Sequence, residues 1–285
     1  MLLLDKPPGL TSARAVARVK RLLPKKTKIG HTGTLDPLAS GLLVLMIGRA
    51  TRLSRYVTGM DKTYTATARF GAVSDTLDAE GEVSELPLVP IDESSVRAAL
   101  PKFTGELDQI PPMASAVKVG GRRLYDLHRS GEQVERASRR VSVHTLHLTS
   151  FDETARTAEF ELACTSGTYV RTLVADLFTA LDSGAYLTAL RRTSVGPLQL
   201  SSATPLAELT DYTSLENHII PKNVAVSYLP VVELGDELRE VVRNGGKLPV
   251  DLVGEFRVED GCGELLAVYR GDGEVARAEV VLWQG

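Results

Sequence analysis

The sequence has few cysteines and no long hydrophobic run. Only Cys164 and Cys262 occur among 285 residues, which excludes a disulfide-stabilised scaffold and predicts a reducing, cytoplasmic setting. The longest uninterrupted apolar segment, Leu42 to Ile47, is far shorter than the roughly 20 residues of a membrane-spanning helix. Charged and proline residues directly follow the first three leucines, so we expect no secretory signal. These absences predict a globular protein that does not enter a membrane.

The sequence also lacks the loops and ligand clusters of several enzyme classes. It contains neither the G-x-x-x-x-G-K-[ST] phosphate loop nor the G-x-G-x-x-G dinucleotide fingerprint, and no C-x-x-C pair occurs. The signature of the zinc deaminases is missing as well. We therefore expect neither nucleotide hydrolysis nor dinucleotide redox chemistry, and no metal ion. Carboxylates remain as the groups that carry chemistry, acting as acids, bases or nucleophiles.

Charge is distributed unevenly along the chain. The net charge is −3, but the residues from Glu233 onward carry 12 acidic and 6 basic side chains, which leaves residues 1–232 with a net charge of +3. Between positions 14 and 28 there are seven basic residues and no acidic one. Four of the basic side chains share one face of a predicted helix: Arg14, Arg18, Arg21 and Lys25. Such a face is either a solvated surface or a surface that follows the phosphates of a nucleic acid.

The order of the predicted elements favours an α+β fold. We predict strands over 42–47, 63–71, 141–151 and 156–165, and helices over 12–23, 92–103 and 168–182. Strands and helices do not alternate strictly, which argues against a doubly wound sheet. From about residue 225 the chain turns to short strands with glycine turns. We therefore predict one domain over 1–224 and a small β-rich domain over 225–285.

The segment from Gly30 to Gly41, GHTGTLDPLASG, is predicted to be a loop. Three glycines and one proline in twelve residues disfavour a helix or a strand. Pro37 restricts the backbone of Asp36 to extended conformations, so this loop presents the Asp36 carboxylate in a fixed direction. A turn in which Asp36 bonds its own backbone explains the same local pattern. The loop by itself thus leaves a catalytic and a structural role open.

The GHTGTLDPLASG loop resembles the catalytic loop of the pseudouridine synthase family that includes tRNA pseudouridine synthase B. Further segments resemble other motifs of that family in the expected order, within residues 2–196. These segments are Asp5-Lys6-Pro7-Pro8-Gly9, Lys62-Thr63-Tyr64, Pro111-Pro112-Met113, the run from Ser166 to Arg171, and Leu190-Arg191-Arg192. Each match is weak by itself, whereas the ordered set is highly specific.

The resemblance implies a fold, a reaction and a substrate. The fold is a mixed, mostly antiparallel sheet flanked by helices, with a PUA-like domain at 225–285 and an RNA-binding insertion at 109–140. The reaction is the isomerisation of uridine to pseudouridine at position 55 in the T-loop of tRNA, by base flipping and without a cofactor. The insertion is long for a connection in a compact domain, so we expect a flap that closes over the T-loop. A permanently docked substructure is the alternative.

The resemblance also implies roles for individual residues. Asp36 is the essential nucleophile or base, and Arg171 pairs with it through a bidentate guanidinium. Tyr64 stacks on the flipped uracil, Leu190 forms an apolar floor, Tyr169 is a second pocket tyrosine, and His31 fills the space that the base leaves. Lys6 either braces the pocket or contacts a phosphate. The expected contacts to the RNA backbone are Arg14, Arg18, Arg21, Lys25, Lys118, Arg122 and Arg123.

Two other functions are compatible with parts of this pattern. One is an RNA-binding and RNA-folding protein whose catalysis is secondary or lost, and the other is a hydrolase of glycosidic bonds that uses the same carboxylate. The acidic C-terminal part is unusual for an RNA-binding module, since phosphates attract Lys and Arg. We expect a monomer that acts on tRNA without a guide RNA.

Overall fold

The computed structural model of the chain describes residues 1–115, 117–132 and 134–283. The side chains of Lys118 and Arg123, two of the expected RNA contacts, lie outside the described part of the protein. Within the described residues, no helix combines the length and the apolar character that a membrane crossing requires.

Strands make up most of the regular structure. They are β1 (Leu2–Lys6), β2 (Ile29–His31), β3 (Ser40–Ile47), β4 (Lys62–Phe70), β5 (Ala72–Ser74), β6 (Val83–Glu85), β7 (Gly105–Gln109), β8 (Lys118–Val119), β9 (Arg122–Arg123), β10 (Arg139–Asp152), β11 (Thr157–Cys164), β12 (Ala185–Val195), β13 (Leu198–Gln199), β14 (Thr204–Pro205), β15 (Val231–Glu233), β16 (Leu248–Pro249), β17 (Val253–Glu259), β18 (Leu265–Asp272) and β19 (Val275–Val281).

The helices are short. They are α1 (Ser12–Leu22), α2 (Ser54–Thr58), α3 (Glu93–Ala99), α4 (Leu124–Arg129), α5 (Val170–Thr179), α6 (Tyr212–Glu216) and α7 (Arg239–Arg243). Turns of 3-10 helix cover Gly48–Leu53, Leu100–Phe103, Leu200–Ser202, Leu206–Glu208, Lys222–Val226 and Asp236–Leu238.

A ten-stranded sheet forms the centre of the molecule. Its strand order is β14-β1-β3-β12-β4-β11-β10-β7, with β2 paired to β3 and β13 paired to β12. Most neighbours are antiparallel, and the parallel pairs are β1 with β14 and β12 with β3. A second sheet in the order β15-β17-β18-β19-β16 forms the C-terminal part. This arrangement confirms the α+β prediction and the small β-rich C-terminal part, whereas the exact division at residue 224 stays a prediction.

The central strands are apolar on both faces because each face is covered. Leu43 and Leu45 of β3 pack in a cluster with residues of α1 and α5. Leu42 and Val44 point to the other face of the same strand, since side chains alternate along a strand, and join a cluster that includes Val280 from β19. The C-terminal sheet therefore covers one face of the central strands.

Several element boundaries differ from the sequence-based predictions. Gly30 and His31 lie in β2 and not in the loop, because this short segment pairs antiparallel with β3, His31 opposite Leu45. The helix expected to end near residue 103 ends at Ala99 and continues as a 3-10 turn. The first helix agrees with the prediction, with the Thr11 side chain accepting from the Arg14 amide as its N-cap.

The segment 109–140 contains a small hairpin, β8–β9, followed by helix α4. Leu124 and Leu127 of this helix are buried. Arg136 Nη1 donates to the Pro111 carbonyl at 2.9 Å, which ties the end of the segment to its beginning. These contacts hold the described part of the segment together, and its closure on RNA stays a prediction.

Candidate active site

Asp36 lies in the loop 32–39 between β2 and β3, and this loop is fixed to the start of α1. The buried Ser12 hydroxyl donates to the Leu35 carbonyl and accepts from the Leu35 amide, both at 2.8 Å. The Ala39 amide donates to the Asp36 carbonyl at 3.1 Å and closes a turn. The backbone on either side of Asp36 is thus held by hydrogen bonds, which fixes the direction of its side chain.

A buried arginine connects Asp36 with a second carboxylate. Arg171 lies in the first turn of α5, and its side chain is only 4% exposed. Its Nη2 lies 2.8 Å from Asp36 Oδ2, and its Nη1 lies 3.0 Å from Asp78 Oδ2. Asp36 is 36% exposed, whereas Asp78 is 3% exposed. The predicted catalytic pair therefore meets where the Asp36 carboxylate is partly open to solvent, with the buried Asp78 behind it, and we call this open side of Asp36 the cleft.

The Arg171 guanidinium is shared among several acceptors. Nη1 also donates to the Thr76 carbonyl at 2.7 Å, and Nη2 donates to the Ala114 carbonyl at 2.8 Å. Nη1 thus serves Asp78 and Thr76, Nη2 contacts Asp36 and Ala114, and a bidentate contact with Asp36 stays a prediction. The arrangement fixes Arg171 from four sides and leaves Asp36 as its most exposed partner.

Asp78 was missed from the sequence, although it lies in a polar stretch that follows β5. Its Oδ1 accepts from the Thr76 hydroxyl at 2.7 Å and from the Glu80 amide at 3.0 Å. Its backbone carbonyl accepts from the Ser74 hydroxyl at 2.6 Å. A run of hydroxyls and acids without apolar periodicity signals a hydrogen-bonded loop, but nothing in such a run indicates which distant arginine it meets.

Burial raises the pKa of Asp36, and the charge of Asp78 raises it further. Arg171 opposes both effects through its charge and its hydrogen bond, and the charge of Lys6 acts in the same direction. The side chain is open at one side and closely surrounded by protein on the others, which reconciles its exposure with the raised pKa. A carboxylate poised in this way can act as a nucleophile or as a base.

Lys6 ends β1 and is fully buried beside the cleft. Its Nζ donates to the carbonyls of Pro7 at 2.9 Å and of Leu10 at 2.6 Å. Burial lowers the pKa of Lys6 to about 8, while Asp36 acts to raise it and Arg192 to lower it. The structure therefore places Lys6 near Asp36, as expected, but its ammonium group is occupied by backbone carbonyls.

Arg192 is a further buried cation that we did not predict as a site residue. Its Nε donates to the Leu42 carbonyl at 2.7 Å, and its Nη2 donates to the Gly33 carbonyl at 3.0 Å. It thereby joins β12 to β3 and to the loop that carries Asp36. Gly41 has a φ of +96°, and a Cβ there would lie 2.3 Å from the Arg192 carbonyl, so only glycine fits.

Tyr64 and Leu190 lie on adjacent strands, β4 and β12, in the same buried cluster. Tyr64 pairs with Arg192 across the two strands, and Leu190 lies two residues before Arg192 on the same strand. Burial raises the pKa of Tyr64, and the charge of Arg192 opposes this shift. The roles of Tyr64 and Leu190 in holding a base stay predictions.

His31 and Tyr169 adjoin the elements that carry Asp36 and Arg171: His31 ends β2, directly before the Asp36 loop, and Tyr169 comes two residues before Arg171. Burial lowers the pKa of His31, the charge of Arg192 adds to this, and its Nδ1 is a buried atom without a hydrogen-bond partner among the described residues. Tyr169 precedes α5 as its N-cap residue. The Arg139 guanidinium carbon lies 5.5 Å from the centroid of the Tyr169 ring, a cation–π distance.

The expected RNA contacts fall into two groups. All four members of the basic face on α1 and just beyond it are exposed: Arg14, Arg18, Arg21 and Lys25. Arg122 instead forms an ion pair with Glu132, Nη1 lying 3.0 Å from Oε1. A basic cavity of about 530 Å³, which we did not predict, lies on another side of α1 and is lined by Lys20, Lys26, Thr27, Lys28, Ile29, Gly30, Thr51 and Ser54.

Within residues 1–115, 117–132 and 134–283, no group of three or more His, Cys, Asp or Glu side chains is arranged to hold a metal ion.

The family profile described as TruB family pseudouridylate synthase (N terminal domain) matches residues 20–170. The chain belongs to this family. It is 44% identical over 292 residues to the tRNA pseudouridine synthase B of Ralstonia nicotianae, covering the whole chain and 90% of that protein. It is 44% identical over 257 residues to the protein of the same name from Chromohalobacter salexigens, covering 89% of the chain and 83% of the relative.

Solved structures agree with the family assignment. The crystal structure of a Cbf5–Nop10–Gar1 complex contains a chain that matches 99% of this protein, with a TM-score of 0.76, 26% sequence identity and 84% of that chain covered. The structure of an H/ACA RNP bound to a substrate RNA containing 2′-deoxyuridine shares the fold, with a TM-score of 0.75 at 24% identity, covering 99% of this chain and 84% of that one. The chain is thus a TruB-family pseudouridine synthase with the expected fold.

Proposed function

We propose that this protein isomerises uridine to pseudouridine in tRNA, at position 55 of the T-loop. The observation that carries the proposal is the partly exposed Asp36 carboxylate, held 2.8 Å from the buried Arg171 guanidinium. Family membership and the relatives named tRNA pseudouridine synthase B support the substrate class. The T-loop position rests on the resemblance of the Gly30 to Gly41 loop and of the motifs that accompany it.

The reaction needs a carboxylate and a pocket that retains the detached base. The N1–C1′ bond of the uridine breaks, the uracil turns, and C5 forms a bond to C1′. The hydrogen on C5 leaves and N1 gains one, so the composition does not change and no electron acceptor is required. Asp36 acts in its ionised form by attacking C6, attacking C1′ or removing a sugar proton, and Arg171 keeps it ionised.

Tyr64, Leu190 and Tyr169 supply the surroundings of the flipped base. An aromatic face stacks on a uracil ring, and an aliphatic side chain opposite prevents the ring from leaving while it turns. Tyr64 and Leu190 occupy neighbouring strands of one sheet, so their separation is fixed by the strand pairing and does not depend on a loop. We infer that His31, on the strand before the Asp36 loop, fills the space that the uracil leaves in the RNA.

The basic surfaces beside the cleft suit the sugar–phosphate backbone. We infer that the exposed face Arg14, Arg18, Arg21 and Lys25 contacts phosphates, and that the cavity lined by Lys20, Lys26 and Lys28 extends this surface. β2 joins the cavity to the cleft, because Gly30 lines the cavity and His31 follows it directly. An RNA that delivers a base to Asp36 therefore passes basic side chains on its way. We infer that the protein acts as a monomer in the cytoplasm and needs no guide RNA.

The proposal is tested by treating T-loop RNA with the purified protein and mapping pseudouridine at single-nucleotide resolution. Asp36→Asn preserves the size of the side chain and its ability to accept a hydrogen bond from Arg171, but it removes the nucleophile. We expect product formation to fall by at least about 10⁴-fold, as it does when a nucleophile is removed from an enzyme. RNA affinity should stay within about threefold, since Asp36 contributes no attraction for phosphates.

Three outcomes would contradict the proposal. Release of free uracil would indicate a hydrolase. RNA binding by the wild-type protein without any product would indicate an RNA-folding protein. Pseudouridine at a different position, with none in the T-loop, would keep the activity and overturn the assigned substrate position.

A further inference from the structure

The segment 110–138 leaves the central sheet and returns to it at one pair of residues. Strand β7 ends at Gln109, β10 begins at Arg139, and these two residues lie opposite each other in the antiparallel ladder. We call this pair the neck of the segment. Both of its residues contact the same third residue, Tyr169, which is the N-cap of α5.

The carboxamide of Gln109 forms two hydrogen bonds with the backbone of Tyr169. Its Oε1 accepts from the Tyr169 amide at 2.7 Å, and its Nε2 donates to the Tyr169 carbonyl at 3.0 Å. The Gln109 side chain is buried. A side-chain amide that satisfies both backbone groups of a single residue mimics a neighbouring strand, and it fixes both the position and the rotation of that residue.

Tyr169 in turn sets the first turn of α5. Its carbonyl also accepts the first helical hydrogen bond, from the Leu173 amide at 3.0 Å. Arg171 is two residues further along this turn. Any displacement of the Tyr169 backbone therefore moves the guanidinium that holds Asp36 and Asp78. The Ala114 carbonyl, which lies just beyond the neck, accepts from Arg171 Nη2 as well and adds a second link between the segment and the arginine.

We propose that Gln109 is a positioning residue of the reaction, which seats Tyr169 and the first turn of α5 so that Arg171 and the Tyr169 ring face Asp36 correctly. The proposal rests on the proposed function. The buried Gln109 side chain bonds to the backbone of Tyr169 and not to Asp36 or Arg171. It acts through the two hydrogen bonds to Tyr169, and it does so at the point where the RNA-binding segment joins the sheet.

The physical reason for a large effect is that the Tyr169 amide loses its partner, while the Tyr169 carbonyl keeps only its helical bond from the Leu173 amide. The Tyr169 backbone is then free to shift, and a shift of about 1 Å at a reacting group costs up to about 100-fold in rate. Loosening Arg171 also removes part of the attraction that lowers the pKa of Asp36. The charged groups around that carboxylate are Arg171, Asp78, Lys6 and Glu80. The pKa of Asp36 should then rise, so the acidic limb of the pH–rate profile should move to higher pH.

The test compares Gln109→Ala and Gln109→Glu with the wild-type protein in single-turnover reactions on T-loop RNA. We expect Gln109→Ala to lower the rate by about 10- to 100-fold and to shift the acidic limb upward, with the RNA Kd within about twofold. Gln109→Glu keeps an acceptor for the Tyr169 amide but sets a carboxylate against the Tyr169 carbonyl, so we expect a comparable or smaller loss. The matched control is Gln199→Ala, an exposed glutamine at a strand edge, which should behave as wild type.

Leu248→Ala tests whether Gln109→Ala acts only by destabilising the fold. It shortens a buried side chain in the C-terminal sheet, so it destabilises the protein without changing the residues around Asp36. If Leu248→Ala and Gln109→Ala lower Tm equally and also change rate and pH limb equally, the proposal is wrong. The proposal is also wrong if Gln109→Ala folds and retains the wild-type rate and the wild-type acidic limb of the pH–rate profile. If the alanine variant does not fold, the same result with Gln109→Glu overturns the proposal. If the wild-type protein forms no pseudouridine, the proposed function fails first, and hydrogen exchange of amides 169–173 in the variants still decides whether Gln109 holds this turn.

Discussion

The central sheet and helix α5 bury several charged side chains around Asp36, whereas the C-terminal sheet keeps most of its charges exposed. Lys6, Arg171 and Arg192 are almost completely buried around Asp36. In the C-terminal sheet Arg270 is 58% exposed and pairs with Glu255, Nη2 lying 2.8 Å from Oε1. Burial of an ion costs several kcal/mol unless partners compensate it, so such groups persist where they are used. The difference indicates which region performs chemistry and which region supports it.

The two regions meet along a row of arginines that follows β3. Arg49 and Arg52 donate from Nη1 to carbonyls at the end of β19 and just beyond it, and Arg55 pairs with Glu279 of β19, Nη2 lying 2.6 Å from Oε2. These arginines thereby neutralise part of the negative charge of the C-terminal sheet. We infer that the acidic C-terminal sheet stabilises the catalytic sheet through this contact and through their shared apolar cluster.

The largest effect on activity is expected from Arg171→Lys, which changes a buried charge beside Asp36. A lysine keeps the positive charge but presents one nitrogen, and it cannot reach Asp36, Asp78 and two carbonyls at once. We expect turnover on T-loop RNA to fall by about 10²- to 10³-fold while RNA affinity is retained, because the loss of one electrostatic donor at a reacting group has this size. Single-turnover rates and filter binding measure the two quantities separately.

The control is Arg270→Lys in the C-terminal sheet, which changes the same residue type at an exposed ion pair. It should leave turnover unchanged. Wild-type turnover in Arg171→Lys would show that the shared guanidinium is not needed for the reaction.

The elements around the site were predictable because their signals are local. Periodicity predicted β4 and α1, and the Asp-Pro sequence between glycines predicted the Asp36 loop. The pairing of Asp36 with Arg171 came only from the resemblance, because no local pattern connects two residues so far apart in sequence. Asp78 and Arg192 were missed for the same reason, since Asp78 meets Arg171 of α5 and Arg192 meets β3 and the Asp36 loop, all distant in sequence.

The buried lysines of the central sheet should also make the stability of the protein depend on pH. Burial lowers the pKa of Lys6 and of Lys62 to about 8, from 10.5. Between these pH values the unfolded state binds more protons than the folded state, so each lysine makes the free energy of unfolding rise with pH, by up to about 1.4 kcal/mol per pH unit. Below pH 8 both states are protonated and this contribution is constant. Lys6→Met and Lys62→Met should each flatten the rise, as measured by urea unfolding from pH 7.5 to 10. The exposed Lys102→Met should not change it.

A smaller effect is expected from the exposed face of α1. Replacing Arg18 and Arg21 by glutamine should weaken RNA binding by roughly 3- to 10-fold at physiological salt, and it should lower the log–log salt slope by about 0.7–0.9 for each phosphate that is no longer neutralised. Turnover at saturating RNA should not change, because neither residue lies at the cleft. Arg277→Gln in the C-terminal sheet is the matched control. An unchanged salt slope in the α1 variant would show that this face is only a solvated surface.

The smallest effect is expected within the C-terminal sheet itself, from Arg270→Gln. Both partners of Arg270, Glu255 and Glu279, remain paired with Arg55, and water replaces the exposed guanidinium, so urea unfolding should show a loss below about 0.5 kcal/mol.

Arg257 is the informative contrast because its side chain is 18% exposed, lies 2.8 Å from Glu259 Oε1 through Nε, and donates to two carbonyls. Arg257→Gln removes the bonds to these two carbonyls and the charge opposite the largely buried Glu259, and it should cost about 1–3 kcal/mol. Equal losses in the two variants would mean that burial of charge does not separate the two regions, and the comparison would then no longer identify the site.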